Sequence, residues 1–140
     1  MAEALLKDTL KRMDLDQSIE IQSAGTWAAE GYPAAPLGVK AMAERGLDTS
    51  QHKSQTITAQ FLAQFDLILT METGHKEAIQ IEFPQYSDRV FMLSEMSGSI
   101  TNIEDPIGGS FQNYLDTAQE IHEWIKTGLP KILQILNISK

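Results

Sequence analysis

The stretch Ile103-Glu104-Asp105-Pro106-Ile107-Gly108-Gly109-Ser110 is the part of this sequence best suited to chemistry. A proline holds the residue before it out of the helical region, and glycines let backbone approach a ligand closely. An aspartate fixed in that way is well placed to transfer a proton. The same residues also describe a plain turn with an N-cap ahead of a helix, and local sequence leaves both readings open. Other chemistries are excluded more sharply. None of the 140 residues is cysteine, which removes disulfides, thiolate zinc sites and any thiol nucleophile from these residues. His52, His75 and His122 lack the i, i+4 spacing of helical zinc ligands, so no metal site is expected. Neither Gly-x-Gly-x-x-Gly nor Gly-x4-Gly-Lys-Ser/Thr occurs, and no nucleotide cradle or cofactor is expected. Asp14-x-Asp16-x-Ser18 has the aspartate spacing of aspartyl-phosphate phosphatases. That chemistry needs a strand just before the aspartates, whereas a helix pattern precedes these, so a turn is the better reading.

The elements that must position these residues follow from periodicity. Leu6, Leu10 and Met13 recur at helical spacing among Lys7, Asp8, Lys11 and Arg12. Apolar and polar residues then alternate over 18–23, the pattern of a short strand. Gly25, Gly31, Pro33 and Pro36 mark a loop and a helix start, the composition of 37–45 is helical, and Gly46 stands where a C-cap glycine belongs. A polar loop covers 48–57, and Thr58 can cap a short helix through Leu62. The mostly apolar run 65–71 reads as a strand buried on both faces of a parallel sheet. Thr73 opens a helix through Ile81, and 89–93 reads as a further strand. A long loop over 94–110 leads to a C-terminal helix from about Phe111, with Ile121, Trp124 and Ile125 on its apolar side. Gly128 and Pro130 should break or kink that helix before a last stretch from Ile132 to Leu136. Alternating helix and strand predicts the α/β class with a mainly parallel sheet. A helix ahead of the first strand is unusual for such a sheet.

Composition narrows the class. Eleven Lys and Arg against 19 Asp and Glu give a net charge of −8, which repels phosphate backbones, so nucleic acid is not an expected partner. The length suits a single domain over 1–140, and 42% hydrophobic residues are enough for a core. No apolar run approaches the roughly 18 residues that span a bilayer, and Met1-Ala2-Glu3-Ala4 lacks the shape of a signal peptide. A cytoplasmic protein without membrane contact is expected.

Five dispersed segments then occur in a telling order: Ser23-Ala24-Gly25-Thr26, Gly31-Tyr32-Pro33-Ala34, Ser50-Gln51-His52, Phe65-Asp66-Leu67-Ile68-Leu69-Thr70-Met71 and Asp105-Pro106. In that order and over the whole chain the sequence resembles the low-molecular-weight protein tyrosine phosphatases. Gly74-His75-Lys76 together with Asp105-Pro106-Ile107-Gly108-Gly109-Ser110 is most similar to the bacterial branch that includes protein arginine phosphatases. Arsenate reductases of the same fold are more distant.

The resemblance implies a three-layer αβα sandwich around a short parallel sheet, four-stranded in the family with order 2-1-3-4. It implies hydrolysis of phosphotyrosine or phosphoarginine through a cysteinyl-phosphate, on phosphoprotein substrates. Asp105 then matches the general acid, with Pro106 beside it. Ser23 and His52 match the side chains that hydrogen-bond the phosphate loop, and Trp27 lies near the aromatic wall that guides substrate. Ile107 and Gly108 stand where many members carry tyrosines. In the family a first, central strand leads into Cys-x5-Arg-Ser/Thr-Pro, followed directly by Met-Ala-Glu, and this sequence begins at Met1-Ala2-Glu3. The resemblance therefore implies a domain truncated at its N-terminus, with nucleophile, clamping arginine and first strand upstream of residue 1. These residues alone are expected to be inactive, either as a remnant of a phosphatase or as a pseudo-phosphatase that binds a partner. A homodimer filling the gap of the missing strand is the expected assembly.

Overall fold

A computed structural model describes residues 1–25 and 31–138. Trp27 lies outside the described residues. The chain forms two compact units, Met1–Thr56 with Asp105–His122, and Ile57–Glu104 with Glu123–Lys140.

In the first unit, helix α1 (Ala2–Arg12) buries Leu5 and Leu10 while i, i+4 ion pairs Lys7–Glu3 and Arg12–Asp8 decorate its surface. The buried series continues to Leu15, so the inward stripe is Leu5, Leu10 and Leu15, and Leu6 and Met13 are only half-buried. Asp14, at φ 57°, turns the chain, and the Leu15 N–H reaches back to the Leu10 carbonyl. The Asp14-x-Asp16 segment is thus a turn, as its position after a helix pattern suggests.

The expected strand over 18–23 does not form. Alternation fits a strand, but a strand exists only where a neighbour completes its ladder. Among the described residues, the backbone N–H groups from Ile19 to Ala24 meet no acceptor. Pairing starts at Gly25, whose N–H donates to the Gln55 carbonyl at 2.9 Å beside a parallel bridge between Gly25 and Thr56. An antiparallel bridge joins Pro33 to Lys53.

Helix α2 (Pro36–Ala43) starts on a proline at its first turn and buries Ala41 and Met42. Gly46, at φ 74°, lets the Leu47 N–H return to the Met42 carbonyl, closing the helix as expected. The first part of helix α5 (Phe111–Ile135) belongs to this unit and buries Tyr114, Ala118 and Ile121.

In the second unit, Thr58 caps helix α3 (Ala59–Leu62) by accepting the Phe61 N–H at 3.1 Å. Strands β1 (Ile68–Thr70) and β2 (Val90–Met92) pair in parallel, Ile68 opposite Val90 and Thr70 opposite Met92. Both are shorter than the apolar runs 65–71 and 89–93 that contain them. Helix α4 (Thr73–Glu82) makes the crossover, and Leu62, Ile79 and Val90 form a core with Phe61, Ile68 and Phe83 against it. The α/β class with a small parallel sheet is as expected.

Two expectations in this unit need correction. The chain after β2 is not wholly loop, because Leu93–Ser97 winds into a 3-10 helix whose Glu95 carboxylate accepts the Met92 N–H. Helix α5 also continues through Gly128 and Pro130 without a break. Gly128 is there for close packing: a Cβ on it would lie 2.7 Å from the Met96 Cβ. Pro130 is exposed, and the one hydrogen bond it removes is outweighed by burial of Ile125, Leu129, Ile132 and Leu133 along the same helix.

Candidate functional site

Asp105 opens the loop that feeds α5, and its side chain is held by its own backbone. The Ile107 N–H donates to Asp105 Oδ1 at 3.0 Å, and the Gly109 N–H donates to the Pro106 carbonyl at 2.8 Å. Among the described residues nothing hydrogen-bonds the second carboxylate oxygen, and the residue is exposed. Gly108 sits at φ 80°, a conformation suited to glycine. At the end of the loop Ser110 Oγ accepts the Asn113 N–H at 3.1 Å, capping α5. The segment is therefore a turn with an N-cap, in which the aspartate keeps one oxygen free.

Ser23 lies beside the start of α1. Its hydroxyl donates to Glu3 Oε1 at 2.7 Å, while Lys7 Nζ donates to the other oxygen of the same carboxylate at 2.8 Å. Gln55 Nε2 donates to the Ser23 carbonyl at 3.1 Å and to Gln22 Oε1 at 3.0 Å, tying 22–23 to the segment that follows His52. His52 is half-buried and lies within electrostatic reach of Glu3. Burial works to raise the Glu3 pKa, but the bonds from Lys7 and Ser23 and the positive fields of Lys7 and His52 outweigh it. The carboxyl is held below its usual 4.5.

The amino group of Met1 is in electrostatic reach of both Glu3 and Asp105, and burial lowers its pKa against the opposing pull of those carboxylates. Ser23 is thus tied to the first turn of α1 by a hydrogen bond, and His52 and Asp105 lie within electrostatic reach of charged groups on that turn. Pro106 is half-buried beside Asp105 and contributes its carbonyl to the turn.

Two members of this cluster escaped the sequence reading. Glu3 reads as an ordinary acidic residue in a first helical turn, and the partner that gives it a role lies 20 residues away. Gln55 reads as polar loop, and its bond to Ser23 spans 32 residues. An acid in the first turn of α1 is the only local hint for either.

Chemically, the cluster offers one carboxyl group with a free oxygen and a hydroxyl–carboxylate pair suited to bracing backbone. Among the described residues no group of three or more His, Asp or Glu is placed to hold a metal ion. No helix among them is long and apolar enough to cross a membrane.

Comparison with known proteins points to one family. Residues 1–137 match the family model described as low molecular weight phosphotyrosine protein phosphatase. The chain is 35% identical over 127 residues to a protein-arginine-phosphatase of Bacillus subtilis (strain 168), covering 90% of this chain and 83% of that protein. It is 33% identical over 132 residues to a probable low molecular weight protein-tyrosine-phosphatase, EpsP, of Ralstonia nicotianae, covering 94% and 86%. Its fold is similar to the crystal structure of a YwlE mutant from Bacillus subtilis, with a TM-score of 0.87, 35% identity and coverage of 95% and 88%.

Proposed function

The chain belongs to the low molecular weight phosphotyrosine protein phosphatase family, and from that premise we propose that its first unit supplies the general acid and the bracing groups of a phosphoprotein phosphatase. The reaction is hydrolysis of phosphotyrosine or phosphoarginine on cytoplasmic proteins through a cysteinyl-phosphate. Asp105 gives the proton from its free oxygen to the departing oxygen or nitrogen, then takes a proton from the water that releases phosphate. Ser23, Glu3, His52 and Gln55 hold the backbone that faces the phosphate loop. The observation that supports this reading is the Ser23–Glu3 hydrogen bond at the first turn of α1, with His52 and Asp105 in electrostatic reach of charged groups there.

The 140 residues contain no cysteine, so by themselves they form no thiophosphate intermediate. General acid catalysis supplies about 10²–10⁴-fold, and only to a reaction already under way. The chain alone is therefore inactive. Extending it at Met1 with a strand and Cys-x5-Arg segment, as the resemblance to the family implies, tests the assignment. Such a chimera should hydrolyse phosphoarginine or phosphotyrosine peptides, and Asp105→Asn should lower kcat at least about a hundredfold. A folded chimera whose turnover is indifferent to Asp105 would overturn the assignment.

Self-association is a second reading, favoured by the N–H groups from Ile19 to Ala24, which meet no acceptor among the described residues. A cleft of about 590 Å³ lies along that segment, lined by Lys7, Leu10, Ile19 and Ile21. Pairing with a second copy would satisfy this backbone. Sedimentation at micromolar concentration should give twice the chain mass, and a clean monomer would count against the dimer.

A further inference from the structure

We infer that Asn113, one turn into α5, is a positioning residue for Asp105, an inference that rests on the acid role proposed above. The link runs through four hydrogen bonds, two of them a reciprocal pair. Asn113 Oδ1 accepts the Ser110 N–H at 2.9 Å, and the Ser110 hydroxyl accepts the Asn113 N–H at 3.1 Å, so helix and loop are locked reciprocally. The next residue back, Gly109, donates its N–H to the Pro106 carbonyl at 2.8 Å, and Ile107 donates to Asp105 Oδ1 at 3.0 Å.

Asparagine matters here because of its reach. The usual partner three residues after a capping serine is Glu or Gln. The shorter Asn113 presses its carboxamide against the loop itself. A Cβ on Gly109 would lie 2.7 Å from Asn113 Oδ1 and 2.8 Å from the Pro106 carbonyl oxygen. The glycine is therefore confined between the helix side chain and the turn that carries Asp105. Asn113 can transmit position because its own helix turn is anchored on both sides. Lys40 Nζ sits 4.4 Å from the centre of the Phe111 ring, and the Tyr114 ring packs on Gly38. Asn113 thus sets the distance between α5 and the Asp-Pro turn, and that turn presents one oxygen of Asp105 to its own backbone and the other outward.

Amide hydrogen exchange of the intact 140-residue chain tests this without requiring turnover. In Asn113→Ala the Ile107 N–H should exchange about fivefold faster, the effect of losing roughly one hydrogen bond's stabilisation. Amides of Tyr114 and Ala118 should change less than about twofold. Asn113→Asp, which keeps an acceptor at the same reach, should restore protection at Ile107. Gly109→Ala, which pushes on the same Oδ1, should also loosen Ile107 and gives the test a second variant if Asn113→Ala folds poorly. Ile107 exchange that is unchanged in Asn113→Ala would overturn the inference. So would equal acceleration of Ile107 and the α5 amides, because Asn113 would then be a helix cap and nothing more. Failure of the phosphatase reading would appear in the chimera's turnover instead, so the two failures are distinguishable.

Discussion

Removing the Glu3 carboxylate should cost this protein more than a surface acid normally would. Its pair with Lys7 contributes little, since the Lys7 and Glu3 side chains are 52% and 21% exposed and exposed i, i+4 pairs yield about 0.3–0.5 kcal/mol. The bond from Ser23 is different. It is short at 2.7 Å, partly buried, and joins parts of the chain 20 residues apart. Hydrogen bonds to charged groups contribute about 1.5–3 kcal/mol, so Glu3→Ala should lose about 2 kcal/mol at neutral pH. Glu3→Gln keeps an acceptor for the hydroxyl and should lose about half of that. The sign of the pH dependence follows from the lowered pKa. The unfolded carboxyl titrates near 4.5 and the folded one below it, so the unfolded chain binds the extra proton in that window. The stabilisation is complete above pH 4.5 and is lost as pH falls through the folded value. Urea unfolding at neutral pH and near pH 3 reads both effects, with the slope m unchanged between variants. Glu3→Ala within about 0.5 kcal/mol of the parent at neutral pH would show that the Ser23 bond supplies no such stabilisation. A deficit that persists undiminished near pH 3 would refute the charged part of it.

Other perturbations probe separate pieces. Gly128→Ala should destabilise by about 1–3 kcal/mol in urea unfolding despite alanine's better helix propensity, because the added methyl falls 2.7 Å from the Met96 Cβ. Pro130→Ala should raise the unfolding midpoint, since Pro130 is exposed inside a continuous helix and its removal restores a hydrogen bond worth up to about 3 kcal/mol with the steric relief. Glu95 is pushed up by burial but held lower overall by Lys76, at 2.6 Å, and the Met92 N–H. The Glu95→Gln deficit should therefore shrink as pH falls below the usual carboxylate range of 4.5, measured as the difference in Tm from the parent. Gln55→Ala should destabilise by about 1 kcal/mol in the same unfolding assay, through its two bonds to 22–23.

What could be read from sequence was what depends on neighbours in the chain. Thr58 as a cap, Gly46 as a C-cap and Asp105 before Pro106 are local signals, and each does what its residue type allows. The helix predicted from Leu6, Leu10 and Met13 exists, but its buried stripe is shifted to Leu5, Leu10 and Leu15 because packing, not spacing, chooses the inward face. Signals that depend on distant partners misled. Residues 18–23 alternate like a strand yet find no ladder, and Gly128 with Pro130 look like a break until Met96 and the buried face of α5 are in place. The site divides along the same line. Ser23, His52 and Asp105 stand out in the sequence through a pattern of short motifs, whereas the bonds of Glu3 and Gln55 to Ser23 span 20 and 32 residues and leave no local signal.

The most direct test of the central claim, that these residues brace and protonate but do not attack phosphorus, is hydrolysis of para-nitrophenyl phosphate by the purified 140-residue chain. Scanned from about pH 5 to 8, where general acid–base groups of this kind operate, it should show no turnover above buffer. Turnover that disappears on Asp105→Asn would contradict the account, because some group other than a cysteine would then be attacking the phosphoryl centre.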